Sequence, residues 1–335
     1  MRVLVTGASG MLGRGVARAL HERGEDVTVL QRRSSGLPLP EVLADVADRA
    51  AVARAAQGQD AVVHLAAKVS VTGAWADYEH TNIEGTASVV AACRDAGVGR
   101  LVHISSPSVA HAGSALVGAG AGPADPRRAR GHYARSKAVA ERLALRADGP
   151  DLAVVAIRPH LVWGPEDTQL VARLVDRARA GRLPVIGSGA ALIDSTWVDN
   201  AVEAVVAAVD RCEHASGQAL VVSNGEPRPV AELIAGICRA AGAPAPHHRV
   251  PYAVARAAGA AVDAVWAARL ALPRGSEPGD PPLTRFLAEQ LATAHWFDQR
   301  HTREVLGWTP RVSLDEGLAA LARAFAAQPP ASRPG

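Results

Sequence analysis

The sequence predicts a doubly wound α/β fold: a parallel sheet wrapped by helices, joined to a smaller, mostly helical lobe. Three observations carry this expectation. Short β-rich runs alternate with helical patterns through the first half. A glycine triplet follows the very first run. The second half loses that alternation.

In chain order, strands are expected at Arg2–Thr6, Asp26–Gln31, Ala61–Ala66, Arg100–Ser105 and Leu152–Arg158, with a weak one near Val42–Asp45. Helical patterns lie between them at Met11–Arg23, Asp48–Ala56, Ala76–Ala96 and Tyr133–Arg146. Further on, Val171–Ala180, Asp199–Val209 and Val230–Ala241 read as helices and "ALVVSN" (219–224) as a strand. Pro244, Pro246 and Pro251 mark a junction, Pro273–Pro282 reads as a flexible link, and "QPPASRPG" as a disordered tail over 328–335.

A chain of 335 residues can bury a large core, and 48% hydrophobic with 21% charged residues is ordinary for a globular protein. A net charge of +3 with no long basic run gives little support to nucleic-acid binding, despite a pI near 9.0. Cys93, Cys212 and Cys238 are widely spaced, odd in number and outside any metal pattern. They read as buried thiols in the reducing cytoplasm. No charged-then-apolar leader opens the chain. Arg256, Asp263 and Arg269 interrupt the most apolar stretch (251–273), so no membrane span is expected, only a helix that covers something apolar. The twelve histidines form no metal-ligand pattern, and the "PHH" pair (246–248) lacks a matching acid or Cys, so no metal is expected.

"VLVTGASGMLGRGVARAL" (3–20) joins a strand, a glycine turn and a helix start. Gly7 permits the tight turn, Gly10 lets backbone approach a pyrophosphate, and Gly13 lets helix and strand pack closely. Ser9, Met11 and Leu12 fall in the same turn, where free N–H groups and the helix dipole favour an anion. A dinucleotide site is the reading. Its second strand ends "VLQRRSS" (29–35), with Gln31 where an acid would bind ribose hydroxyls and Arg32 and Arg33 after it. Guanidinium pairs with a 2′-phosphate, so NADP is favoured over NAD. Asp45 and Val46, after the weak strand, are placed to meet adenine.

Of 36 basic residues only Lys68 and Lys137 are lysine, and Lys137 stands four after Tyr133, one of three tyrosines. About 0.02 such Tyr-x-x-x-Lys pairs are expected by chance. Four apart on a helix, the two share a face. Lowering a tyrosine from pKa about 10 to about 7 needs roughly 4 kcal/mol, which a cation about 4 Å away supplies at an effective dielectric near 20. Tyr133 then serves as general acid and base toward a carbonyl or alcohol. "HISSPSV" (103–109) ends the preceding strand; Ser106 is the choice to hold the carbonyl oxygen, with Ser105 as the alternative.

Taken with "HLAAK" (64–68), "TNIEGT" (81–86) and "IRPHLVWGPED" (157–167), these motifs resemble the extended short-chain dehydrogenase/reductases over almost the whole chain. "LTRFLAEQLATAHWFD" (283–298) and "VLGWTPRVSLDEGL" (305–318) are similar to the 3β-hydroxysteroid dehydrogenase/isomerase branch, and within it to bacterial ketoreductases and sterol-carboxylate dehydrogenases. The resemblance implies that Leu65, Ala66 and Ala67 line the cofactor and that Asn82 supports the site. It implies a catalytic set of Ser106, Tyr133 and Lys137, with Pro159, His160 and Leu161 bordering the nicotinamide. It also implies a homodimer through the helices around Ala76–Ala96 and Tyr133–Arg146.

Residues 1–160 with 194–224 are then the NADP-binding Rossmann domain, and 161–193 with 225–327 the substrate-binding lobe. Lys68 is open to three readings: cofactor phosphate, substrate carboxylate, or surface. The loop 113–131 departs from the branch; it is Gly/Ala-rich, ends in Arg127, Arg128 and Arg130, and reads as a mobile lip for an anionic substrate or as a solvated loop. Trp163, Leu170, Trp197 and the 251–273 helix are expected to line a hydrophobic pocket. The function expected is alcohol–ketone oxidoreduction on a small hydrophobic substrate: a steroid, a β-keto or β-hydroxy acid, or a polyketide-like compound. The alternatives are a nucleotide-sugar epimerase or dehydratase and a non-catalytic NADP-sensing protein.

Overall fold

The computed structural model describes residues 1–70, 73–111, 113–270, 281 and 283–327. The expected tail at 328–335 and the expected link at Pro273–Pro282, apart from Pro281, lie outside the described residues. Seven parallel strands stand in the order Ala219–Val222, Ala153–Pro159, Arg100–Ile104, Ala61–His64, Arg2–Thr6, Asp26–Gln31, Glu41–Leu43. Helices cover both faces, so the strands can be apolar almost throughout; all four residues of Ala61–His64 are buried. Alternate residues feed two cores. Val3 and Val5 face one with Leu20, Val205 and Trp163, while Leu4 faces the other with Val52, Val62 and Leu101. Thr6, at the carboxyl end of the central strand, pairs in register with Leu30 on one side and His64 on the other. From this strand the chain passes to Asp26–Gln31 on one side, and from Glu41–Leu43 it crosses back to Ala61–His64 on the other; the crevice at that switch point is where ligands bind in such sheets.

The expected helix at Ala76–Ala96 is divided. An α-turn at Trp75–Tyr78 runs into a π-helical turn at Glu79–Glu84, and a regular helix resumes at Gly85–Ala96. At Gly85 a Cβ would lie 2.5 Å from Val46 Cγ1, so helix and loop touch backbone to side chain. Beside the seven strands there is a second sheet, to which Leu116–Ala119 of the first half contributes. A small mixed sheet runs Arg228–Pro229, Leu192–Ile193, His295–Phe297, Leu116–Ala119. Strands of two to four residues leave too little periodicity to be read from sequence.

The expected loop at 113–131 is therefore partly a strand, Leu116–Ala119. Its following carbonyls are also held. Arg158 Nη1 donates to the oxygens of Ala121 and Gly122, the latter at 3.0 Å. The same guanidinium forks onto Glu141, Nε to Oε2 at 2.7 Å and Nη2 to Oε1 at 2.6 Å, both side chains being 1% exposed. Arg158 lies on the Ala153–Pro159 strand and Glu141 on the Gly131–Leu145 helix, so one buried ion pair joins sheet, helix and loop. No helix among the described residues is long and apolar enough to cross a membrane.

Removing one partner of such a pair leaves an uncompensated buried charge. Glu141→Ala is expected to lose about 3–5 kcal/mol of unfolding free energy in urea titration; a loss below about 1 kcal/mol, the scale of a surface pair, contradicts this role.

Candidate active site

A cleft of about 880 Å³ opens at the carboxyl ends of the central strands. Gly7, at φ +81°, donates its N–H to Leu30 O at 2.9 Å, and a Cβ there would lie 2.7 Å from Ala66 N. A Cβ on Gly13 would lie 2.3 Å from Gly7 O. These two glycines make the turn and the close packing. Gly10 differs: a Cβ there meets nothing nearer than Gly7 O at 3.7 Å and would project into the cleft. It caps the Met11–Glu22 helix without a side chain, which leaves the first-turn N–H groups beside Ser9, Met11, Leu12 and Gly13 facing the same opening. The chemistry of this cradle fits a pyrophosphate.

Arg32, Arg33, Asp45 and Val46 line the other end. Both arginines are exposed. Gln31 is buried and donates Nε2 to Glu41 Oε1 at 2.8 Å, and Ser35 N–H donates to the same oxygen at 2.7 Å. The Glu41 carboxylate, on the neighbouring strand, is thus engaged by Gln31 and Ser35.

The floor of the cleft, Leu65–Ala67, rests on a buried hydrogen-bond chain. Ala66 N–H donates to Thr6 Oγ1 at 3.2 Å, and Thr6 Oγ1 donates to His64 Nδ1 at 2.8 Å. Thr86 Oγ1 gives its proton to Asn82 O at 2.7 Å, so at 3.0 Å it accepts from His64 Nε2. This ordering needs a neutral His64 with its proton on Nε2. Burial, helped by the Lys137 charge, pushes its pKa down to about 3. Asn82, buried in the π turn, accepts Lys68 N–H at 2.7 Å and donates to Lys68 O at 3.2 Å and to Ser136 Oγ at 2.9 Å. Ser136 in turn donates to Tyr133 O at 2.9 Å. Asn82 lies behind the cleft rather than in it.

Tyr133, Ser105 and Ser106 line the cleft. Ser106 caps a short 3₁₀ turn, accepting Ser108 N–H at 3.3 Å, whereas the buried Ser105 hydroxyl has no partner among the described residues. Lys137 is buried and donates Nζ to Ile104 O at 2.5 Å. Burial pushes its pKa down to about 8, against the pull of Glu141. The expected lowering of the tyrosine is reversed. Burial raises the Tyr133 pKa, the Ser106 hydroxyl opposes this, and Tyr78 adds to it. The Lys137 ammonium is turned to the Ile104 carbonyl and is not among the causes of this shift.

Lys68 lies outside the cleft. Its ammonium pairs with Asp77 at 2.8 Å and stands 5.4 Å from the Tyr78 ring centroid. Pro159 lines the cleft; His160 and Leu161 do not. The His160 ring packs edge-on against His295 at 5.0 Å and Phe297 at 5.1 Å. Leu161 is held at φ +42°. Sequence reasoning missed Arg14, Thr81, Glu166 and Gln169, which also line the cleft; Arg14 and Glu166 approach to 3.6 Å. A visible signal was Asp167 before a helical run: its carboxylate accepts N–H groups from Gln169, Leu170 and Val171.

A second cleft, about 640 Å³, shares Val69 and Tyr133 with the first and is also lined by Arg130, Asp263, Arg285 and Phe286. Of the apolar wall expected there, the 251–273 helix lines the cleft through Asp263, whereas Trp163, Leu170 and Trp197 do not. Trp163 and Trp197 instead meet edge-on at 5.1 Å in the core, and Leu170 packs against that core.

Residues 3–223 match the family described as the NAD dependent epimerase/dehydratase family. The chain is 40% identical to a 2-alkyl-3-oxoalkanoate reductase of Stenotrophomonas maltophilia, over 98% of this chain and 100% of that one. It is 28% identical to a mouse (Mus musculus) sterol-4-alpha-carboxylate 3-dehydrogenase, decarboxylating, over 96% and 90%. Among solved structures, MoeE5 in complex with UDP-glucose and NAD superposes with a TM-score of 0.73 at 26% identity, covering 97% of this chain and 99% of that one.

Two buried histidines near the clefts have their pKa values pushed down by burial, His64 to about 3 and His295 to about 4. Unfolded, both bind protons near pH 6.5. Between those values the unfolded chain holds more protons, so stability is present above about pH 6.5 and is lost as pH falls toward 4. The urea midpoint is expected to drop steadily from pH 7 to pH 5; a flat midpoint contradicts neutral burial of these rings.

Proposed function

The chain belongs to the NAD dependent epimerase/dehydratase family, within the extended short-chain dehydrogenase/reductases, and from that premise we propose that it is an NADP(H)-dependent oxidoreductase that interconverts a secondary alcohol and a ketone on a small hydrophobic substrate. One observation carries the reading: Tyr133, a proton donor and acceptor, stands where the glycine-cradled cleft meets the partly apolar one. The name of the 40% identical relative supports a 3-oxo acid with an alkyl chain as the substrate type.

In this reading Gly7, Gly10 and Gly13 with the first helical turn hold the pyrophosphate, and Leu65–Ala67 floor the site. Arg32 and Arg33 recognise the 2′-phosphate, and Asp45 and Val46 border the adenine. A reduced dinucleotide held by these residues would supply the hydride for the carbonyl carbon. Tyr133 Oη donates the proton to the carbonyl oxygen, which the hydroxyl of Ser106, or that of Ser105, orients. Burial holds the phenol protonated, as a general acid in reduction must be. In oxidation the same oxygen takes the alcohol proton, and the buried Lys137 stabilises the phenolate. Residues 1–160 with 194–224 serve as the cofactor unit, and 161–193 with 225–327 as the substrate lobe. We further place the chain in the cytoplasm, on its three buried free thiols, and as a homodimer through the helices that flank Asn82 and Tyr133.

Tyr133→Phe is expected to lower NADPH-dependent ketone reduction by roughly a hundred- to ten-thousandfold while NADPH binding, read by fluorescence, is kept; wild-type turnover in this variant sinks the mechanism. Replacing Arg32 and Arg33 together by Ala is expected to raise KM for NADPH roughly tenfold or more and leave NADH nearly unchanged. Equal effects on both dinucleotides contradict 2′-phosphate recognition.

A further inference from the structure

The second cleft is apolar on one side and cationic on the other. Val69, Ala134 and Phe286 line it, and Val69 is 51% exposed. Arg130 and Arg285 line it too, and both converge on Glu289. Arg130 donates Nη1 to Glu289 Oε2, and Arg285 donates Nε to Oε1 at 3.0 Å. Arg256 adds its Nε to that oxygen at 3.4 Å. The Glu289 side chain is 6% exposed, while the guanidinium side chains are 39–47% exposed.

One buried carboxylate does not neutralise three guanidiniums. Asp263 also lines the cleft, but its Oδ2 accepts the backbone N–H of Arg285 at 3.1 Å, and counting it still leaves an excess of positive charge. The remaining polar side chains of the lining, Ser70, Tyr133 and Thr284, carry no formal charge. Among the described residues Arg130 engages only Nη1 and Arg285 only Nε. Both terminal nitrogens of Arg285 are left as a planar fork, the geometry that matches a carboxylate. Arg130 caps the helix whose first turn carries Tyr133, three residues on, a rise of about 4.5 Å.

We propose that Arg285 and Arg130 form a carboxylate-binding subsite, so that the substrate is an acid whose carboxylate lies a few bonds from the reacting carbonyl, as in a 3-oxo or 3-hydroxy acid. The acyl chain then runs along Val69 and Phe286. Glu289 is a positioning residue: it pins one edge of each guanidinium and leaves the other edge to the ligand. The proposal rests on the reading of this cleft as the substrate side of an alcohol–ketone oxidoreductase.

The test compares 3-oxodecanoate with methyl 3-oxodecanoate, which keeps the ketone and the chain but removes the charge. kcat/KM with NADPH is measured for the wild-type protein, Arg285→Ala and Arg285→Lys, with NADPH binding as a check that the variants are folded. The wild type is expected to favour the acid about tenfold or more. Arg285→Ala is expected to lose about tenfold on the acid and less than about twofold on the ester, with Arg285→Lys between. A general loss of structure lowers both substrates together, so equal losses overturn the subsite. Equal wild-type turnover of acid and ester overturns it as well, and needs no variant to fold. Oxidation of NADPH with neither substrate nor any other hydrophobic ketone overturns the functional reading itself, and the subsite with it.

Discussion

One buried amide ties the two halves of the site together. Asn82 holds both the N–H and the carbonyl of Lys68, and with its remaining donor proton it reaches Ser136, whose hydroxyl bonds to Tyr133 O. An amide alone presents a donor and an acceptor side by side in one plane; a carboxylate would face the Lys68 carbonyl, and an apolar side chain would leave both backbone groups unpaired. The floor of the cofactor cleft and the first turn of the Tyr133 helix are therefore fixed against each other. Behind them the Thr6–His64–Thr86 chain ends on the Asn82 carbonyl, so the central strand is joined to the same point. Each group in that chain is satisfied by the next, which is the condition for a buried polar network to be stable.

The distribution of cations follows their shapes. Arginine stands where a planar fork meets a carboxylate and several carbonyls, as at Arg158 with Glu141, Ala121 and Gly122. Lysine appears where a compact ammonium must fit: Lys137 ends on the Ile104 carbonyl in the core, and Lys68 is wedged against Asp77 and Tyr78. The two lysines border the same region from different sides, one under Tyr133 and one behind the cleft floor.

Much of this was legible in the sequence because its causes are local. Gly7, Gly10 and Gly13 announce themselves through backbone sterics over seven residues, and Tyr133 and Lys137 through one helical turn. The parallel strands were legible through their continuous apolar runs. What stayed hidden depends on distant partners. Arg130 meets Glu289 across 159 positions, and Arg158 meets the carbonyls of a Gly/Ala-rich stretch more than thirty residues before it. The small sheet forms from strands too short to show alternation. The direction of the Lys68 side chain follows from its pairing with Asp77 and the upward shift of Tyr133 from burial, and spacing encodes neither.

The central claim is that hydride passes to a ketone at the junction of the two clefts, beside Tyr133. It is tested most directly with NADPH deuterated at C4, prepared in each of its two stereochemical forms, and a hydrophobic 3-oxo acid, with the product analysed by mass spectrometry. The account predicts one deuterium on the carbinol carbon from one of the two forms and none from the other. An alcohol product without label from either form, or no product, contradicts it.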